Sequence, residues 1–226
     1  RFRNKLLDLS SNNKLLSLKL TNQNANQYLR FVDCNLQAVL DGLTSGREYR
    51  IGALPEQPEG IQTEPDHAVL EAALRAKGRK VEVSNAGVSG DTASGGLERL
   101  DWAVGEGADL VIVELGANDM LRGTDPAITK AALAKIITGL KERKAKVLLA
   151  GMVAAPGMGR DFETRFNAIY PQLAQEFSVP LYPFFLEGVA GDRNLLLSDG
   201  MHPNRQGVDV IVRNILPAVE ALLDQS

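Results

Sequence analysis

The sequence predicts an α/β protein in which a parallel sheet is flanked by helices. From about Glu64 onward, short apolar strands alternate with amphipathic helices, and this alternation is typical of parallel sheets. One of the strands, Asp109–Leu115, is apolar along nearly its whole length, as strands buried on both faces of a parallel sheet are. The chain of 226 residues is long enough for one domain of this class.

The first predicted elements follow one another in a regular order. A helix is expected to begin at Asp66, which can cap it, and to end at Gly78, with apolar residues at helical spacing between them. The strand Lys80–Ser84 comes next, and a glycine-bearing turn and a further helix lead to the buried strand. Thr124-Asp125-Pro126 then opens a helix, because it combines a cap with a proline in the first turn.

The carboxyl-terminal part of the chain continues the alternation. Its predicted elements are the strand Lys146–Ala150, the helix Asp161–Phe177, the strand Val179–Phe184 and the amphipathic helix Gln206–Leu223. With these elements the pattern of strand and helix extends to the end of the chain.

The first 60 residues differ from the rest of the chain in composition and in pattern. Arg1–Gln27 is rich in Asn, Ser, Lys and Leu, and Leu54–Pro65 is rich in Pro, Glu and Gln. The candidate strands Leu16–Leu20 and Leu29–Val32 do not lead into a glycine-bearing turn and a helix. We therefore expect an atypical N-terminal segment over residues 1–60 and the main domain over residues 61–226. An extension, a poorly ordered arm and an altered sequence are the alternatives for the segment.

The composition narrows the classes of function. With 25 Lys and Arg against 28 Asp and Glu, the net charge of -3 provides no basic surplus for a nucleic-acid partner. No apolar run approaches the roughly 20 residues of a membrane-spanning helix, and Arg1–Leu20 lacks the apolar core of a signal peptide. The single cysteine, Cys34, excludes an internal disulfide and a cysteine-rich metal site. Two histidines, His67 and His202, leave too few ligands for a metal-dependent hydrolase, so we expect neither a metal nor a cofactor.

The segment just before the last helix contains the first candidate site. Asp199 precedes His202 by three residues, so its carboxylate can accept a hydrogen bond from the imidazole Nδ1 within one turn. This contact would fix the tautomer and leave Nε2 as a general base. The structural alternative is a capped turn followed by a surface histidine, and the pattern alone leaves both interpretations open.

Two further candidates follow strands of the predicted sheet. Asn118 comes directly after the buried strand, where ligands bind in open parallel sheets, and its side-chain N–H can stabilise a developing oxyanion. Gly90 precedes a helix and can present its backbone N–H to an anion. The structural alternatives are an Asx-turn at Asn118 and a tight strand-to-helix turn at Gly90. Ser89 does not belong to a G-x-S-x-G motif, because position 91 is aspartate.

The stretches NAGVSGDT (85–92), VIVELGANDMLRG (111–123) and LSDGMHPN (197–204) together resemble the SGNH hydrolases, the GDSL-type esterases. The resemblance covers about residues 70–223 and is greatest for bacterial arylesterases and multifunctional thioesterase/lysophospholipase enzymes. It implies a flavodoxin-like three-layer α/β/α sandwich around a five-stranded parallel sheet. It also implies that Gly90 and Asn118 serve an oxyanion hole and that Asp199 and His202 belong to a catalytic triad.

The sequence departs from the family at the nucleophile. The family's first block, Gly-Asp-Ser-Leu, is absent. The most similar stretch, Leu40–Gly46, has Gly42 at the serine position and Ser45 three residues later. A less similar stretch, Val32-Asp33-Cys34, contains a thiol. Three explanations stay open: Ser45 acts in a rearranged first block, the chain lacks a nucleophile, or a change of reading frame disrupts the N-terminal sequence. Ser45 is the best single candidate.

The resemblance implies a carboxylic ester hydrolase that cleaves small acyl or aryl esters through a serine acyl-enzyme. Its triad would consist of Ser45, Asp199 and His202, and thioesters and lysophospholipids are further substrate classes of this branch. The alternative is a pseudoenzyme that binds an acyl ligand without turnover. Many members of the family are exported, and a single cysteine is compatible with export.

Overall fold

The computed structural model of the protein describes residues 27–32, 40–41, 49–50, 66–104 and 107–225. The described strands are β1 Gln27–Val32, β2 Leu40–Asp41, β3 Tyr49–Arg50, β4 Val81–Ser84, β5 Ala108–Glu114, β6 Lys146–Ala150 and β7 Leu181–Tyr182. They form a seven-stranded sheet in the order β2-β4-β3-β1-β5-β6-β7, and β4 also pairs with β1. All these pairings are parallel except that of β2, which runs antiparallel to β4.

Helices connect the strands and cover the sheet. They are α1 Asp66–Ala76, α2 Ala93–Glu98, α3 Leu100–Ala103, α4 Ala117–Leu121, α5 Pro126–Glu142, α6 Arg160–Asn167, α7 Ile169–Phe177 and α8 Arg205–Leu223. The predicted start of α5 is confirmed, since the Asp125 carboxylate accepts a hydrogen bond from the N–H of Ala127 at 2.9 Å and Pro126 opens the helix. None of the helices in the described ranges is long and apolar enough to cross a bilayer.

The sheet is covered on both faces. Leu110, Val111, Ile112 and Val113 are all fully buried although successive side chains of a strand point to opposite faces. The helices form two packed groups, α1 with α8 and α5 with α2 and α7, and members of both groups contact β6. The predicted α/β class with a parallel sheet is therefore confirmed.

The expected count of five strands does not describe the whole sheet. Five parallel strands, β4, β1, β5, β6 and β7, correspond to the expected arrangement, and the short strands β2 and β3 are additional. Both additional strands have two residues and lie at positions of the N-terminal segment where the sequence pattern indicated no strand. Their pairing with β4 depends on backbone hydrogen bonds, which leave little signal in side-chain periodicity. The candidate strand Leu29–Val32 lies within β1, and Leu16–Leu20 lies outside the described residues.

One predicted helix is divided in the structure. The pattern predicts a single helix over Asp161–Phe177, but α6 ends at Asn167 and α7 begins at Ile169. Pro171 lies in the first turn of α7 and has no N–H to donate to the carbonyl of Asn167, so the helical hydrogen-bond ladder is interrupted there.

Contacts at the end of α8 determine which edge of the sheet its beginning occupies. The Lys146 ammonium, at the start of β6, donates to the carbonyl of Leu222 at 2.8 Å. The Lys77 ammonium, which precedes β4, donates to the Glu220 carboxylate at 2.6 Å. The end of α8 therefore lies at the amino ends of the strands. Because a helix of 19 residues is about 28 Å long, its start lies at the opposite, carboxyl edge.

Candidate active site

Asp199 and His202 form a direct contact, as the sequence predicts. The Asp199 Oδ2 lies 2.6 Å from the His202 Nδ1, and Asp199 Oδ1 accepts hydrogen bonds from the backbone N–H groups of Met201 at 2.8 Å and His202 at 3.0 Å. The side chains of His202 and Asp199 are 44% and 38% exposed, so the pair is open to a ligand. With Nδ1 donating to the carboxylate, Nε2 is the acceptor of the neutral ring.

The hydrogen bonds around Asp199 also determine its ionisation. Burial by itself would raise the pKa of this carboxyl, but the side-chain hydrogen bond with His202, the two backbone N–H groups and the His202 charge outweigh it and lower the pKa to about 2. The group is therefore a carboxylate throughout the neutral range. Such a carboxylate stabilises the imidazolium that forms when His202 accepts a proton.

A short antiparallel bridge holds the turn that carries this pair. Leu196 pairs with Pro203, and the N–H of Leu197 donates to the carbonyl of His202 at 2.7 Å. The side chain of Asn204 donates to the carbonyl of Leu196 at 3.2 Å and caps α8 by accepting two backbone N–H groups. Since α8 begins at the carboxyl edge of the sheet, His202 lies at that edge.

Gly90 lies in a turn after β4. The N–H of Asp91 donates to the carbonyl of Val88 at 3.1 Å, so residues 88–91 form a β-turn with Gly90 in its third position. Gly90 has φ +78, which its missing side chain permits without strain. The turn leads into α2, which Thr92 caps by accepting the N–H of Gly95.

Asn118 lies in the first turn of α4, directly after β5. It is half-buried, whereas its neighbours Ala117 and Asp119 are buried, so Asn118 is the one of the three that reaches the surface of the carboxyl edge. Within the described part of the chain, neither the side-chain amide of Asn118 nor the N–H of Gly90 has a hydrogen-bond partner. Both donors are therefore available to a ligand at this edge.

The sequence pattern does not identify a buried carboxylate next to Asn118. Asp119 is fully buried, and it accepts hydrogen bonds from the N–H of Ala93 at 2.8 Å and from the Thr129 hydroxyl at 2.9 Å. It thereby connects α4 to the start of α2 and to α5. The Asn-Asp dipeptide after a strand was its only sequence signal, and that pattern also fits an exposed Asx-turn.

The structure thus brings Asp199 and His202 into contact and locates Gly90 and Asn118 at the same edge of the sheet. Ser45 and Cys34 lie outside the described residues, and His67 belongs to α1. No group of three or more His, Cys, Asp or Glu that could hold a metal ion occurs among the described residues.

Comparisons with known proteins identify the family of the chain. The profile of the GDSL-like lipase/acylhydrolase family matches residues 41–210. The sequence is 38% identical to the esterase TesA of Pseudomonas aeruginosa over 157 residues, which cover 69% of this chain and 78% of that protein. It is 40% identical to thioesterase 1/protease 1/lysophospholipase L1 of Escherichia coli over 145 residues, 62% of this chain and 70% of that protein.

A solved structure extends the similarity to the fold. The crystal structure of TesA superposes with a TM-score of 0.73 and 32% sequence identity, covering 87% of this chain and 99% of the other. The resemblance predicted from the sequence motifs is therefore confirmed.

Proposed function

Since the chain belongs to the GDSL-like lipase/acylhydrolase family and is an ester hydrolase, we propose that it acts through an acyl-enzyme in which His202 is the general base. The observation that carries this proposal is the 2.6 Å contact between His202 Nδ1 and Asp199, at the carboxyl edge that also holds Gly90 and Asn118. The relatives with esterase names do not favour the alternative of a pseudoenzyme without turnover.

Each group has one role in the proposed reaction. His202 Nε2 accepts the proton of the nucleophile, which attacks the carbonyl carbon of the ester, while Asp199 stabilises the imidazolium. The carbonyl oxygen becomes an oxyanion that accepts hydrogen bonds from the Gly90 N–H and the Asn118 amide. His202 then returns the proton to the leaving alcohol, and the carbonyl re-forms as an acyl-enzyme. Water, deprotonated by His202 in turn, attacks the acyl group. The bond between the acyl carbon and the nucleophile then breaks, His202 returns the proton to the nucleophile, and the acid leaves.

We propose Ser45 as the nucleophile. The match to the family profile begins at Asp41, inside the stretch Leu40–Gly46, and this supports that stretch as a rearranged first block. The described residues on either side, Asp41 and Tyr49, both pair with Val81 at the start of β4. The proposal therefore requires the segment between these two residues to extend along β4 to the carboxyl edge, where His202 lies.

Cys34 is the second candidate for the nucleophile. Val32 ends β1 and pairs with Val113 near the end of β5, so β1 ends at the carboxyl edge. Cys34 follows Val32 by two residues in the sequence, and this proximity supports its inclusion in the test. A thiolate can also attack an ester carbonyl.

Apolar substrates are supported by the side chains around the site. Val88, Leu121 and Met201 are exposed and lie within three positions of a candidate group in the sequence, and Val153 is exposed in the segment that follows β6. Because exposed apolar side chains beside a polar site favour a ligand with an apolar part, we propose short to medium acyl or aryl esters as substrates. Thioesters and lysophospholipids share this combination of a carbonyl group and an apolar chain.

Covalent labelling tests the proposed function directly. The protein is treated with a p-nitrophenyl phosphonate, its intact mass is measured, and the adduct is located by peptide mapping. An adduct on Ser45 that forms far more slowly in His202→Ala supports the proposal, and an adduct on Cys34 moves the nucleophile to the thiol. Hydrolysis of p-nitrophenyl acetate is measured in parallel. The absence of both adduct and hydrolysis would contradict the acyl-enzyme and leave the disrupted or nucleophile-less chain.

A further inference from the structure

Two hydrogen bonds join the segment from Gly90 to Ala93 to α4 and the residue that follows it. The Arg122 Nη2 donates to the carbonyl of Gly90 at 2.6 Å, and the Asp119 Oδ2 accepts from the N–H of Ala93 at 2.8 Å. We propose that Arg122 is a positioning residue that fixes the Gly90 N–H relative to the Asn118 amide. This inference rests on the proposed function, in which these two groups bind the oxyanion.

The two connections differ in what they contribute. Asp119 is fully buried and also bonds Thr129, so its loss would leave two buried donors without an acceptor and would damage the fold. Arg122 is exposed, so its loss changes the geometry of the turn at little cost in stability.

Gly90 needs an external contact of this kind because it is a glycine. A residue without a β-carbon has a wide choice of backbone dihedral angles, and Gly90 already has φ +78. The peptide group after Gly90 is held at both ends, since the Asp91 N–H bonds the carbonyl of Val88 and the Gly90 carbonyl accepts from Arg122. Without Arg122 this peptide group keeps one of its two bonds. The Gly90 N–H belongs to the preceding peptide group, which is joined to this one through the two backbone dihedral angles of Gly90, so its direction is then less well defined.

The position of Arg122 in the chain couples the two donors. Arg122 follows α4, and its backbone N–H bonds the carbonyl of Asn118 at 3.0 Å. The same residue thus contacts Asn118 through its backbone and Gly90 through its side chain. A displacement of either donor by about 1 Å is enough to cost up to about a hundredfold in rate.

The kinetic test compares three variants with the wild-type chain. Arg122→Gln removes the guanidinium, Arg122→Lys keeps the charge, and Arg165→Gln is the matched control. Arg165 is also an exposed arginine, but its side chain pairs with Asp125 and Asp161 instead of the Gly90 carbonyl. We measure kcat and KM for p-nitrophenyl acetate together with the melting temperature.

We expect Arg122→Gln to lower kcat about tenfold to a hundredfold, with KM within about twofold of wild type, because oxyanion donors act in the transition state. Its melting temperature should equal that of Arg165→Gln, and Arg122→Lys should recover part of kcat. A kcat equal to that of the control, or a change confined to KM, would overturn the inference.

A second measurement does not depend on turnover. In ¹H–¹⁵N spectra, Arg122→Gln should shift the backbone amides of Gly90 and Asp91 and the side-chain amide of Asn118, and Arg165→Gln should leave them in place. Unshifted signals would refute the role of Arg122 even if the wild type is active. Shifted signals in an inactive wild type would support the role of Arg122 and count against the proposed function alone.

Discussion

The hydroxyl of Tyr170 occupies the space that a β-carbon on Gly116 would need. It donates a hydrogen bond to the carbonyl of Leu115 at 2.8 Å, and an ideal β-carbon at Gly116 would lie 2.3 Å from the hydroxyl oxygen. Gly116 also has φ +115, a conformation that side chains rarely adopt. Because Gly116 joins β5 to α4, this contact lies at the start of the helix that carries Asn118.

We predict that Gly116→Ala lowers the free energy of unfolding by about 2 kcal/mol or more, through backbone strain and overpacking. Tyr170→Phe alone should cost about 1 kcal/mol, since the Leu115 carbonyl loses its donor. In the double variant the steric conflict is gone, so the combined loss should be smaller than the sum of the single losses. Urea denaturation of the four proteins measures this, and additive losses would contradict the contact.

Only one of the two histidines should be required for hydrolysis. His202→Ala removes the general base and should abolish measurable hydrolysis of p-nitrophenyl esters. His67→Ala, in the first turn of α1, should retain activity near that of wild type. Comparable losses in both variants would contradict the assignment of His202.

Asn118→Ala should act on the chemical step. Removal of one oxyanion donor costs about 10²- to 10³-fold in kcat, and KM should change far less because the charge develops in the transition state. Asn214→Ala is the matched control, because Asn214 bonds the carbonyl of Glu187 through an exposed amide. Steady-state kinetics of both variants provide the answer, and a change in KM alone would make Asn118 a substrate-positioning or turn residue.

The contribution of Asp199 to stability should depend on pH in a defined direction. Its pKa falls from 3.8 to about 2 in the folded chain, so its ionised form is favoured by folding. The stabilisation is therefore fully present above about pH 5, declines as the pH falls and is lost below about pH 2. Because the group is exposed, we expect less than about 1 kcal/mol.

Urea denaturation of wild type and Asp199→Asn between pH 6 and pH 2.5 tests this expectation. The advantage of the wild type should shrink as the pH falls. A difference that grows toward acid pH would show that the carboxylate is not stabilised in the folded state.

The local sequence was sufficient for most of the fold. The strand Lys146–Ala150 occurs within the predicted bounds, and α5 begins with the predicted cap and proline. α8 begins within one residue of its predicted start. These features could be predicted because caps, prolines and apolar periodicity act over a few neighbouring residues.

The contact between Asp199 and His202 could also be predicted from the local sequence. Three residues separate them, so one turn of backbone is enough to join the carboxylate to Nδ1. Gly90 and Asn118 were also identified from the sequence, because they follow strands whose carboxyl ends share one edge of a parallel sheet.

Only the tertiary structure decided how that edge is supported. Asp119 meets Ala93 across 26 positions of sequence, Arg122 meets Gly90 across 32, and Tyr170 meets Leu115 across 55. Each contact joins two elements whose relative position results from the packing of the whole sheet. A local pattern carries no information about such a partner, so the sequence by itself determined the elements and the candidate groups, and the packing determined which distant side chains contact that edge.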